Sequence, residues 1–314
     1  MTTGTRRVTH LTRILDLRPE ELVRVLELAE QIRGEPLRYL GALEGRSIAC
    51  IFEKPSTRTR VSFATAAARL GATPIALTPE ELQLGRGESI ADTARSLSGY
   101  VDAIVIRTFA QETVHELASW ATVPVVNALS DEHHPCQALA DLLTIRDAFG
   151  DLPRRRLAFL GDGGDNVAHS LLESCALAGV DLTIACPPEY APDPDVLHVS
   201  RAAAEETGTE LQVLHDPRQA VAGAHAVYAD VWASMGEESE RDARRRALAP
   251  YQVTEELMSR AQPGAVFLHC LPAKRDEEVA TAVIDGPQSV VWQQSANRLP
   301  TEQALLLLLT GRDE

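Results

Sequence analysis

The stretch FEKPSTRTRVSF, residues 52–63, gathers hydroxyls and guanidiniums where a helix should begin. Pro55 ends an apolar, strand-like run, and Ser56 or Thr57 can cap the helix that follows. A helix N-terminus carries unpaired N–H groups and a partial positive charge, so it attracts anions. Ser56, Thr57 and Thr59 add hydroxyl donors, and the Arg58 guanidinium can grip a phosphate through two parallel bonds. The same residues could equally form an ordinary capped helix with surface arginines. The G-x-x-x-x-G-K-[ST] spacing of a nucleotide P-loop is missing.

Further polar clusters stand where other apolar runs end. In DEHHPCQAL, residues 131–139, His134 precedes Pro135 and Gln137 opens a helix. An imidazole there could donate to a carbonyl oxygen, or be a plain loop residue. LHCLPAKRDEE, residues 268–278, puts Cys270 after an apolar strand. A buried structural thiol is its ordinary fate, because a reactive one needs a nearby positive field. DVWASMGEE, residues 230–238, offers the Asp230 carboxylate and the Ser234 hydroxyl beside the thioether of Met235. GDGGDNVAHS, residues 161–170, resembles a dinucleotide turn, but Asn166 occupies the place of the third glycine. It reads as a tight turn on Gly163 and Gly164, with a nicotinamide-dependent dehydrogenase as an alternative. His133, His134 and Cys136 lack the second cluster that a zinc site needs, so no metal site is expected. The inventory is phosphate donors, carbonyl-polarising donors and a carboxylate suited to an amine. Such a set can move an acyl-like group from a phosphate to an amine by positioning and charge stabilisation.

The elements that must position these residues alternate along the chain. Short apolar runs (RSIACIFE, TPIAL, DAIVIRTF, VPVVNAL, then RLAFLGD, DLTIAC, ELQVLHD, AHAVYADV, AVFLHC and SVVWQQ) read as strands, mostly separated by amphipathic helical runs. Gly34 and Gly71 stand where helices should end. This alternation predicts an α/β fold of two doubly wound domains with mainly parallel sheets, joined by the helix PCQALADLLTIRDAFG. The terminal LPTEQALLLLLTG reads as a helix with Pro300 in its first turn. In such sheets ligands bind beyond the carboxyl ends of the strands, where the polar clusters sit.

Composition narrows the partners. With 45 acidic and 30 basic residues among 314, the formal charge is −15, which argues against nucleic acid. The longest aliphatic run, residues 305–309, is too short for a membrane, and the opening MTTGTRRVTH has no signal-like apolar core. Five cysteines without C-x-x-C spacing fit free thiols in a reducing cytoplasm.

The motifs FEKPSTRTRVSF, QLGRGESIADTARSLSGY, HPCQALADLL, DVWASMGEE and HCLPA, in this order, resemble those of the ornithine carbamoyltransferases over nearly the whole chain. The resemblance implies carbamoyl transfer from carbamoyl phosphate to the side-chain amine of L-ornithine, giving L-citrulline and phosphate, in arginine biosynthesis. It implies a carbamoyl-phosphate-binding domain over residues 1–135, completed by the helix 298–314, an ornithine-binding domain over 151–290 and a linking helix over 136–150. Ser56, Thr57, Arg58, Thr59, Gln83, Arg107, His134, Gln137, Cys270, Leu271 and Arg298 match carbamoyl-phosphate contacts, with Gln83 reaching a neighbouring subunit's site. Asn166, Asp230, Ser234 and Met235 match ornithine contacts. Arg58, Arg107, His134, Asp230 and Cys270 carry the implied catalysis, without metal or organic cofactor. A homotrimer with shared sites and domain closure is implied too.

The chain departs from the family pattern at Asp165, at Lys274 to Asp276, at Ala296 and at Pro300. These changes bear on substrate preference, so another amine such as putrescine or a modified ornithine is an alternative acceptor. Aspartate fits less well, because Asp230 would repel a dicarboxylate. A non-catalytic carbamoyl-phosphate-binding paralogue is the alternative of another class. It leaves the joint presence of Arg58, Arg107, His134, Asp230 and Cys270 unexplained.

Overall fold

The computed structural model describes residues 9–78, 81–82, 87–233 and 240–311. The chain divides into two compact units, residues 1–136 with 298–314, and residues 137–297.

The first unit is built on a parallel sheet of β1 (Ser47–Phe52), β2 (Thr73–Leu77), β3 (Ala103–Arg107) and β4 (Val125–Leu129), in the order β2-β1-β3-β4. β1 and β3 are continuous apolar runs because helices cover both faces of the sheet. β2 is an edge strand, and Ile75 on it is 39% exposed. Helix α1 (Pro19–Gly34) buries Leu22, Val25, Leu26, Ala29 and Ile32, the stripe that helical periodicity predicts. It runs through Gly34 to a cap at Glu35, so Gly34 is not the expected terminator. Gly71 is one: at φ +84° it follows the cap residue of α2 (Thr57–Arg69), and an added Cβ would stand 2.8 Å from the Gly41 backbone. α3 (Ile90–Ser98) and α4 (Gln111–Trp120) complete the crossovers.

The second unit holds β5 (Arg156–Leu160), β6 (Asp181–Ala185), β7 (Leu211–Leu214), β8 (Ala226–Ala229) and β9 (Val266–Leu268) in the parallel order β7-β6-β5-β8-β9. Its core packs Leu160, Val227, Phe267, Val279 and Val291, among others. α5 (Pro135–Phe149) and α6 (Asn166–Ala178) carry candidate site residues. They are followed by α7 (Pro194–Thr207), α8 (Pro217–Val221), α9 (Arg241–Leu248), α10 (Glu255–Met258) and α11 (Thr281–Ile284).

SVVWQQ corrects the reading of a tenth strand. Ser289 makes one isolated bridge to Phe267, and Val291 already opens α12 (Val291–Thr310). Pro300 therefore lies inside that helix and not in its first turn. The run Leu305–Leu309 is at most 7% exposed, as befits a helical segment apolar on every side. Among the described residues, no helix is long and apolar enough to cross a membrane.

Candidate active site

In both units the chain first builds outward on one side of its first strand, by one further strand in the first unit and by two in the second, then crosses back to the other side of that strand. That creates a switch point, in the first unit between β1 and β3 and in the second between β5 and β8. The candidate residues follow these strand ends.

In the first unit β1 leads through Ser56 into α2. Ser56 is the N-cap, with extended backbone, and its Oγ accepts the Thr59 N–H at 3.3 Å. Thr57 and Arg58 occupy the first helical turn, where N–H groups have no intrahelical acceptor. Arg107 ends β3 directly beside Phe52 of β1, and the register with β4 slips at Ile106/Arg107, which re-aims its side chain. Its Nη1 donates to Thr59 Oγ1 at 3.4 Å. Arg298 Nη2 donates to the same oxygen at 3.3 Å. One hydroxyl, 1% exposed as a residue, thus anchors two guanidiniums. His134 lies in the loop after β4. Burial and then the charges of Arg298, Arg107 and Arg58 hold its imidazole well below the usual pKa, in the neutral form. A neutral imidazole keeps one N–H to donate and brings no fourth cation.

Two neighbours of this cluster escaped the sequence reading. Lys54, 5% exposed, pairs with Asp131 and lies 4.3 Å from the centre of the Phe109 ring. Glu302, 1% exposed, accepts from Arg298. Glu302 follows Arg298 by four residues on one helix, and that spacing was the available signal.

In the second unit β8 and β9 pair with Tyr228 opposite Leu268. Extending that register by two residues sets Asp230 opposite Cys270, and the Cys270 thiol donates to Asp230 Oδ1 at 2.9 Å. Burial pushes the Asp230 carboxyl above its ordinary range. Burial, followed by the Asp230 charge, pushes the Cys270 thiol well up, so Cys270 is a protonated donor and not a thiolate. His269 accepts the Leu271 N–H on Nδ1 at 2.9 Å, which leaves Nε2 as the donor to Glu278 Oε1 at 3.1 Å. This ring steadies Leu271, whose backbone is left-handed at φ +61°. One ligand atom each from Asp230, His269 and Cys270 lies within 4.8 Å of the others, and internal hydrogen bonds engage all three.

Asn166 is the first residue of α6, capped by Asp165, which accepts the Val167 N–H at 2.6 Å. The turn before it is the tight one expected. An added Cβ on Gly163 would stand 2.8 Å from the Tyr190 carbonyl oxygen, and Arg244 braces Asp162. Gln137, buried on α5, donates Nε2 to Asp141 Oδ1 at 2.7 Å. Gln83, Ser234 and Met235 lie outside the described residues.

The first unit thus offers fixed cations, hydroxyls and a neutral imidazole around a helix start. Such a set binds a small phosphoryl anion and polarises a carbonyl. The second offers a buried carboxylate and a thiol donor, which suit an amine.

Two family models match the chain in succession. Residues 9–147 match the family described as aspartate/ornithine carbamoyltransferase, carbamoyl-P binding domain, and residues 154–309 match the corresponding Asp/Orn binding domain. An ornithine carbamoyltransferase of Methanothermobacter thermautotrophicus is 50% identical over 302 residues, 96% of this chain and 99% of that protein. One of Hyperthermus butylicus is 52% identical over 304 residues, 95% and 96% of the two chains. The solved ornithine carbamoyltransferase of Pyrococcus furiosus superposes with a TM-score of 0.93 at 46% identity, covering 97% of this chain and 98% of its own. With two family domains matched in order and likeness along nearly the whole length, the chain belongs to the aspartate/ornithine carbamoyltransferase family.

Proposed function

We propose that this chain transfers the carbamoyl group of carbamoyl phosphate to the side-chain amine of L-ornithine, releasing L-citrulline and phosphate. The observation that carries the reading is the Thr59 hydroxyl shared by Arg107 and Arg298 at the start of α2, with a neutral His134 nearby. Arg58, Arg298, Ser56, Thr57 and the N–H groups at the start of α2 take the phosphate. Thr59, Arg107 and His134 stabilise the negative oxygen that develops when the amine attacks the carbamoyl carbon. Gln137 and Leu271 contribute to the carbamoyl side, and Gln83 reaches a neighbouring subunit's site in a homotrimer.

The attacking amine must be uncharged, and a free alkyl ammonium has a pKa of about 10.4. Asp230, buried and accepting from Cys270, draws the ammonium in and helps it lose its proton. Asn166, Ser234 and Met235 anchor the amino-acid end. The setting is arginine biosynthesis in the cytoplasm.

Side-by-side assays with ornithine, putrescine, acetylornithine and aspartate test the proposal. Citrulline should form from ornithine at a rate at least about a hundredfold above the other acceptors. Arg58→Ala should lose about a hundredfold or more in kcat/KM for carbamoyl phosphate, the scale of a lost charge-assisted phosphate contact in a desolvated site. Negligible citrulline from ornithine sinks the assignment.

A further inference from the structure

Arg298 does not stand alone behind Thr59. Its Nε donates to Glu302 Oε1 at 3.0 Å and its Nη2 to the same oxygen at 2.8 Å, while Nη2 also reaches Thr59. Ser62 of α2 donates its hydroxyl to that carboxylate oxygen at 2.9 Å. Glu302 Oε2 is buried without a hydrogen-bond partner. A carboxylate in a dry interior with one oxygen unmatched is costly, and an apolar residue would pack there more easily. Its carboxylate fixes the azimuth of the Arg298 guanidinium and so the edge it turns toward Thr59.

We propose that Glu302 is a positioning residue: acting through Arg298, it holds the guanidinium in the orientation that receives the phosphate of the donor substrate. The inference rests on the carbamoyl transfer proposed above and adds to it a residue outside the implied contact set.

The groups around Glu302 make its charge state readable. Arg298 faces it from its own helix, Ser62 from α2, Cys50 from β1 and Cys136 from α5. Burial raises the Glu302 carboxyl to about 7, against the favourable pull of Arg298 and Ser62. The Cys50 thiol is pushed up to about 12 by burial and by Glu302, and the Cys136 thiol further still, so both stay protonated. His134 stays neutral. Between pH 6 and 8.5, Glu302 is therefore the member of this group that changes charge. Above its midpoint it is a carboxylate that grips Arg298. Below it the neutral acid is a weaker acceptor and the grip loosens.

The test uses full-length protein, with Glu302→Ala and Glu302→Gln, and Michaelis constants measured from pH 6 to 8.5. Glu302→Ala should raise KM for carbamoyl phosphate about tenfold, the worth of one charge-assisted contact, with KM for ornithine at saturating carbamoyl phosphate changed less than about twofold. Glu302→Gln keeps an acceptor and should recover most of that loss. The wild-type KM for carbamoyl phosphate should rise as the pH falls through about 7, by about threefold or more, and the Gln variant should show no such step. Thermal unfolding checks that each variant folds, and the Gln variant carries the test if the Ala variant does not. If wild type makes citrulline, but both foldable variants keep its KM and its pH profile, this inference is overturned and the proposed function stands. If wild type makes none, both fall.

Discussion

Thr59 is a small side chain with two cations on one oxygen. Arg107 and Arg298 come from sequence positions far apart, yet both end within hydrogen-bond reach of Oγ1. Burial first, and then the charges of Arg298, Arg107 and Arg58, keep the neighbouring imidazole neutral, and a neutral His134 can donate to a polarised carbonyl without repelling its surroundings. The opposite electrostatics hold at Cys270. Its thiol is raised by burial and by Asp230, so thiolate is scarce near neutral pH. Alkylation of Cys270 by iodoacetamide at pH 8 should be slow, and Asp230→Asn should accelerate it by about tenfold, because removing the negative neighbour lowers the thiol pKa. A mass-spectrometric rate at Cys270 decides this, and no acceleration would mean that the Sγ–Asp230 bond does not control the thiol. Arg298, Glu302 and Ser62 form the third such group, where one carboxylate oxygen serves three donors.

At the scale of elements, strand ends and helix starts do most of the positioning. The Ser56 cap, the β3–β4 register slip and the β8–β9 register each place one or two reacting side chains without any dedicated loop. Helix α12 is less regular in its logic. Pro300 has no N–H to give the Ala296 carbonyl four residues earlier, and it sits well inside the helix. Ala296 is exposed, so water can serve that carbonyl and moderate the penalty. Pro300→Ala restores the donor at the expense of some buried ring surface, and should stabilise the protein by about 1 kcal/mol, seen as a higher Tm in calorimetry. A lower Tm would mean that the ring's packing outweighs the missing bond.

For the whole molecule, the charge of −15 coexists with a local cluster of Arg58, Arg107 and Arg298, so a net acidic chain can still hold a small phosphate. The proposed homotrimer with shared sites has a direct test. Size-exclusion with light scattering should give three times the chain mass of 34.1 kDa. Gln83→Ala and Arg58→Ala proteins, each nearly inactive, should regain activity when dissociated and reassembled together, because some sites then combine two intact halves. No recovery in verified mixed trimers would confine Gln83 to its own subunit's chemistry.

Much of this was legible in the residues themselves. Alternating apolar runs and amphipathic segments determined the α/β class and the parallel sheets, since period and punctuation follow from local backbone geometry. The hydroxyl pair Ser56 and Thr57 announced a cap, which the structure assigns to Ser56, and Gly71 marked a helix end. SVVWQQ misled because an apolar run of strand length also suits the opening of a buried helix, and only packing against the second core chose between them. Pro300 misled for a related reason: a proline marks a helix start in most sequences, and tertiary burial overrode that preference here. What the sequence could not specify was which oxygen each cation meets. Whether Arg298 turns to Thr59 depends on the packing of α12 beside α2, and whether Cys270 donates to Asp230 depends on strand order and register. The contacts with Thr59 and Asp230 join residues many positions apart, so only the folded chain could decide them.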